Sequence, residues 1–284
     1  NLSFSNATSL KTIGSSAFYG TNLTIVSIPT GVETIGVSAF ESNKNLEYVT
    51  LPSSLKNINS NAFSGCSSIY SIAIPGNVTS IGANAFSSCS SLRSIKIPSN
   101  VTKIGEFAFY DCSSFSLIEF SSGTSELTVG FGAFSGTNAS SISLKFICSR
   151  PFIYNVRAAE NPPKTGVSGI FSTMSALNEV VIGPNVVTIP DKSFYASGVK
   201  NLSFSNATSL KTIGSEAFYN TKITEVVVPM GVTDIMSGAF SLCYSLKKAC
   251  LYSRPTVASN AFSSWTELDY GENLTYNTWL TMYG

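Results

Sequence analysis

Between Ser91 and Cys112 the chain reads SLRSIKIPSNVTKIGEFAFYDC, and its apolar positions come in short bursts rather than one long period. Leu92, Ile95 and Ile97 alternate with polar residues as the inward side of a half-buried strand does. Pro98 ends that strand, because it has no N–H to give a ladder. Asn100 takes a polar corner, Val101 and Ile104 turn inward again, Gly105 is expected to permit a second bend, and Ala108 with Phe109 fills the space beneath. No apolar face runs long enough for an independent helix.

The same pattern recurs throughout. Phe18, Phe40, Phe63, Phe86, Phe109 and Phe134 are followed by Phe171, Phe194, Phe218, Phe240 and Phe262, mostly 22 to 25 residues apart. Pro29, Pro52, Pro75 and Pro98 keep a beat of 23, which Pro184 and Pro229 resume. Residues 1–18, NLSFSNATSLKTIGSSAF, return at 201–218 with only Ser16 replaced by Glu216. One unit cannot bury its own inward side chains, so the stable arrangement stacks each on its neighbours into a solenoid with one continuous core. The expectation is a single solenoid over residues 1–284 of about eleven units, with a parallel inner sheet and a mostly irregular or short-strand outer side. At a strand spacing of about 4.8 Å the inner sheet would run roughly 50 Å. Phe63, Phe86 and Phe109 should lie buried in line, and Ile72, Ile95 and Ile118 should share one sheet.

The Leu-x-x-Ile-x-Ile-Pro strand followed by Val-x-x-Ile-Gly-x-x-Ala-Phe-x-x-Cys resembles the BspA-like leucine-rich repeat family, of the Treponema pallidum type, over nearly the whole chain. That resemblance implies a right-handed leucine-rich-repeat superhelix. It also implies a secreted or surface-displayed protein, several such proteins being adhesins for host matrix or for other cells.

The beat breaks once, where Phe134 and Phe171 stand 37 residues apart around KFICSRPFIYNVRAAENPPKTGVSGIF. The later KKACLYSRPTVASNAF is similar without the extra length, so an irregular insert is expected near 148–169 around Cys148 and the Pro162–Pro163 pair. Insertions in solenoids map to surface loops, either functional or simply tolerated, because loop length costs little.

Composition narrows the function. The net charge is +1, only 12% of residues are charged, and no run of Lys and Arg reaches five, so nucleic acid is not an expected partner. No apolar run of 18 residues is present to cross a membrane, and the first residues do not read as a signal peptide. Because Asn1 falls inside a unit and lacks an initiator Met, the chain reads as a piece of a longer protein.

The chain has no His, which removes Ser-His-Asp and Cys-His nucleophiles and His-based metal sites. Its four Asp, at 111, 191, 234 and 269, lack calcium-loop spacing. GFGAFSG at 130–136 has Ser135 where a dinucleotide fingerprint needs its third Gly. A glycosidase pair would need carboxylates about 5–9 Å apart. Glu47 and Glu119, three units apart, would be separated by roughly 14 Å at ordinary strand spacing. Neither cofactor nor metal is expected. Cys66, Cys89, Cys112 and Cys243 share one slot, filled by Thr21 and Trp265 in other units. Identical slots one strand apart form a line rather than a tetrahedron, which favours a buried thiol ladder over zinc or disulfides. Cys148 and Cys250 are left as an open pair. Nine Asn-x-Ser/Thr sequons, among them Asn22, Asn77, Asn100 and Asn273, are either glycan acceptors or simply what repeat corners require.

Residues between the inward strand positions should face outward. Glu47, Tyr70 and Arg93 form one expected ladder; Thr50, Ala73, Lys96 and Glu119 form another. In the second half Glu179, Lys200, Glu225, Lys247 and Lys248 take the matching face. Such pairs either brace the sheet or meet a partner, and their mixed polar chemistry suits a broad protein or glycan contact better than an apolar pocket. The expected function is a non-enzymatic cell-surface or secreted binding or adhesion module for an extracellular protein or glycoprotein, such as host matrix. The alternatives are a structural spacer presenting another domain and, more remotely, a carbohydrate-active enzyme.

Overall fold

The computed structural model describes residues 2–271 except 3, 5, 6, 8, 122–124, 126, 137–141, 146–151, 156–168, 173, 176, 185 and 205–206. Among the described residues every strand ladder is parallel and none of the secondary structure is helical. Each turn of the chain gives one strand to each of two faces, so the molecule is a parallel β-solenoid. The longer strands carry the Leu-x-x-Ile-x-Ile segments, such as Ser94–Ile97 and Leu117–Phe120, where Ile95 pairs with Ile118. Two-residue strands such as Ser80–Ile81 and Lys103–Ile104 make the second face. The expected short-strand outer side is therefore itself an ordered ladder.

Between the faces, among the described residues, runs a column of phenylalanines from Phe18 to Phe262. Successive rings stack with centroids 5.0 to 5.4 Å apart. Offset stacking of this kind adds to what burial alone supplies. Phe63, Phe86 and Phe109 are fully buried, as the spacing predicts. Ile72, Ile95 and Ile118 are buried too, but the ladder thins at Ile72, where only Ser71 bridges to Tyr48.

Two backbone features sharpen the sequence reading. Gly105 does not serve as a bend. A Cβ there would sit 2.3 Å from the Ala83 nitrogen, and at Gly82 and Gly130 the corresponding clash is 2.4 Å, so glycine is needed where each turn presses on the one before. The left-handed conformation falls instead two residues before and two after the column phenylalanine. Ser38, Asn61 and Asn84 hold the first position with φ of 54–56°, and Ser42, Ser88 and Asp111 hold the second.

The insert begins later than the expected bounds. Residues Phe152–Asn155, inside the expected 148–169 segment, pair in register with Leu127–Gly130 as a regular part of the second face. The extra residues follow that strand, outside the described residues. The long-strand sheet passes the insert without a break, in the order Ser94–Ile97, Leu117–Phe120, Ile142–Lys145, Leu177–Val181, Asn201–Ser203. On the short-strand face, among the described residues, Phe152–Asn155 ends one sheet and Thr188–Ile189 begins another. The Phe column registers the disturbance: Phe134 and Phe171 are inclined by 24°, against 4–8° through most of the column.

Candidate binding face

The long-strand face presents three outward rows around a buried one. Val26, Val49, Ile95, Ile118, Val180 and Val226 form the buried row. Lys96 and Glu119 pair directly in the row after it, and Lys96 Nζ lies 2.6 Å from the Glu119 carboxylate. Glu47, Tyr70 and Arg93 are all exposed in the row two residues before, with the Arg93 N–H donating to the Tyr70 carbonyl. Lys200, whose N–H donates to Asn178, and Lys247 continue that row. Glu179, Glu225 and Lys248 occupy the third row, immediately before the buried position, where Glu179 pairs with Asn201 and Glu225 with Lys248.

The structure thus puts all ten candidate residues on one face and gives several of them partners. Lys248 reaches diagonally to Asp269 at 2.7 Å, and the hydrogen bond its ammonium donates to that carboxylate holds it above its ordinary pKa. Tyr70 does not pack on Arg93. Its ring meets Tyr48 edge to face at 5.3 Å, and its hydroxyl pKa is raised first by the hydrogen bond with Tyr48. Tyr48, 48% exposed beside an Ile25 that is 43% exposed, was legible as a strand residue of outward parity. Further along, Asn201–Ser203 and Glu225–Val228 fall in separate sheets. Glu179, Lys200 and Glu225 gather there around a shallow depression of about 110 Å³ that Leu202 helps to line.

The thiols are inward. Cys66, Cys89, Cys112 and Cys243 are free and buried, and each S–H donates to the column Phe carbonyl one turn earlier, at 3.0 to 3.3 Å. Asn43 performs the same task with its amide at 2.6 Å on Phe18. In these five turns the slot therefore holds a small donor, sulfur or amide, whereas the turn of Phe171 places a buried Met174 there and the turn of Phe194 places Ser197. Burial pushes the Cys66 thiol up to about 12 and raises Cys89, Cys112 and Cys243 as well, so none is a poised nucleophile. Trp265, expected in this slot, is 41% exposed and stacks on Tyr244 at 5.3 Å. Cys250 is free and half-buried, while Cys148 lies outside the described residues. Asn77 and Asn100 each donate their side-chain amide to the preceding turn at 2.8 Å, giving these two sequons a structural role at the corner. Among the described residues no three His, Cys, Asp or Glu side chains gather to hold a metal ion, and no helix is long and apolar enough to cross a membrane.

A solenoid of stacked strands, a Phe column and one repeated donor slot defines a leucine-rich repeat protein. The chain belongs to the family described as the BspA type leucine rich repeat region, whose model matches residues 11–142 and 167–276 in six copies. Among solved structures it is similar to a T. pallidum leucine-rich repeat protein, at 29% identity over 50% of this chain and 67% of that one, with a TM-score of 0.41. A "leucine rich cell surface protein" from Faecalibacterium prausnitzii matches at 24% identity over 95% of this chain and 85% of that one, with a TM-score of 0.43. A leucine-rich repeat protein from Bacteroides ovatus matches at 23% identity over 92% and 87%, with a TM-score of 0.39. No curated protein matches the chain.

Proposed function

We propose that the long-strand face is a non-enzymatic recognition surface by which this chain, displayed at a cell surface or secreted, adheres to an extracellular protein or glycoprotein. The observation that carries this reading is the exposed corner of Ile25, Tyr48 and Tyr70 on a face that is otherwise polar. Exposed aromatic anchors ringed by polar groups are what protein interfaces concentrate their energy in. The charged rim around Leu202, from Glu179, Lys200 and Glu225, offers a second contact on the same face. Two contacts several turns apart favour an extended or repetitive partner, which gains by multivalency. Family membership supports the same reading. The spacer alternative is favoured by one observation, the unbroken Phe column, which makes a stiff rod of the array.

The test is attachment of the isolated chain to immobilised matrix glycoproteins and to whole cells, beside a Tyr48→Ser, Tyr70→Ser, Lys200→Glu variant matched in melting temperature. Attachment that falls at least tenfold in the variant supports recognition. Equal attachment, or none by either protein, hands the role to the spacer.

A further inference from the structure

The opposite face carries a trough that the strand-face reading does not use. It runs along the solenoid axis beside the glycines Gly82, Gly105 and Gly130, holds about 440 Å³, and is lined by Val37, Asn59, Ser60, Ser80, Lys103 and Thr128 among others. These glycines let successive turns press together along its floor, a Cβ on Gly82 or Gly105 falling 2.4 or 2.3 Å from the nitrogen of Ser60 or Ala83. The backbone N–H groups of Val37, Ser60 and Ala83, one per turn, have no hydrogen-bond partner among the described residues, whereas the N–H of the next residue in each turn does. Parallel rows of open N–H groups are acceptor-binding surfaces.

The chain itself shows which acceptor fits. In the second half the residue equivalent to Ser60 is Asp191, and its Oδ1 accepts from the Ser215 N–H, the equivalent of Ala83, at 2.7 Å. That oxygen lies 2.6 Å from where a Cβ on Gly214, the equivalent of Gly82, would be. A carboxylate oxygen therefore takes in one turn the acceptor position that is unoccupied in the trough, whose wall carries an exposed Lys103 beside Glu106.

We propose that this trough is a second binding site, for a linear 1,4-linked polysaccharide that carries carboxylates and lies along the solenoid axis. Register selects a sugar chain over a peptide. An extended peptide turns a carbonyl to the same side only every ~6.6 Å, out of step with turns spaced ~4.8 Å apart. A 1,4-linked pyranose advances by a length close to one turn and offers acceptor oxygens at every residue. Hydroxyls from Ser60, Ser80 and Thr128 and the Asn59 amide supply the polar walls such a chain needs.

The experiment titrates oligogalacturonate, with cellohexaose as the uncharged comparison, into the full 284-residue chain and reads binding by calorimetry and amide chemical shifts. Two variants copy the native Asp191 arrangement. Val37→Asp places an acceptor against the Ser60 N–H, and Ser60→Asp places one against the Ala83 N–H. Val37→Asn and Ser60→Asn do the same without charge. The proposal expects oligogalacturonate to bind more tightly than cellohexaose, to shift the Ser60 and Ala83 amides, and to lose at least tenfold in affinity in both the Asp and the Asn pairs while their melting temperatures are kept. No binding, equal binding of cellohexaose, shifts confined to the long-strand face, or loss in the Asp variants alone would each overturn it. The Tyr48 and Tyr70 substitutions should leave this binding unchanged, so it stands or falls apart from the strand-face reading.

Discussion

Residues 10–18 and 210–218 have the same sequence but for Ser16 and Glu216, and they differ in what covers them. In the interior copy Leu210 and Phe218 are fully buried, Phe194 of the preceding turn stacks on Phe218, and the Val187 and Ile189 carbonyls accept from the N–H groups of Lys211, Thr212 and Gly214. In the first copy Leu10 and Phe18 are only half-buried. The local shape is unchanged: Thr12–Ile13 and Thr212–Ile213 are both strands, and Ser16 and Glu216 both have φ of 54°. Gly14 has nothing within 4 Å of a would-be Cβ, whereas at Gly214 the Asp191 nitrogen lies 2.7 Å away. A unit's own sequence sets its backbone, and its neighbours set what each side chain is worth.

That contrast yields graded predictions. The largest effect is at the column: Phe218→Ala should cost about 3–5 kcal/mol in denaturant unfolding, and Phe18→Ala only ~1–2 kcal/mol. Equal costs would mean that the preceding turn adds nothing. Next come the glycines. Gly214→Ala should destabilise by ~1–3 kcal/mol because backbone must move, while Gly14→Ala should be neutral or gain up to ~1 kcal/mol from a stiffer unfolded chain. The two copies also differ in the donor that serves the column carbonyl, Asn43 for Phe18 and Cys243 for Phe218. The buried thiols have folded pKa values raised above the ordinary 9.0, so their contribution is complete below pH 9 and is lost as pH rises through those raised values, about 12 for Cys66. Replacing Cys66, Cys89, Cys112 and Cys243 together by Ser should flatten the alkaline limb of a stability profile, and an unchanged limb would contradict this. The smallest effect is at Glu33, which pairs with Lys11 and Lys56, while Thr233 stands in its place beside Lys211. These groups are solvent-exposed, so Glu33→Thr should leave the melting midpoint within scan error.

The stack, the Phe column and the thiol ladder were legible in the sequence because each is a period, and a period of buried residues has few three-dimensional solutions. The face of the candidate residues was legible for the same reason, through the parity of Ile95 and its equivalents. Their partners were not. Tyr70 meets Tyr48 rather than Arg93, and Lys248 reaches Asp269 across a diagonal, because long side chains choose among several neighbours that parity leaves equivalent. Gly105 reads as a bend in the sequence because a close approach between turns leaves the same mark in one unit as a positive φ. The left-handed positions did leave a signal, the Ser, Asn and Gly two residues either side of many column Phe, but Lys192, Leu242 and Phe107, the last with φ of 55° and its ring packed on Phe131, show that the position also admits larger residues.

The central claim is that one stack continues past the insert, with Ser94, Leu117, Ser143, Glu179 and Asn201 on successive strands of a single sheet. Spin labels at Ser94→Cys and Asn201→Cys, in a background with Cys148 and Cys250 replaced by Ser, measure this directly by pulsed electron resonance. Four strand spacings predict one narrow distribution centred at about 19 Å. A broad distribution, or one centred well beyond that, would mean that the chain divides at the insert into two separate bodies.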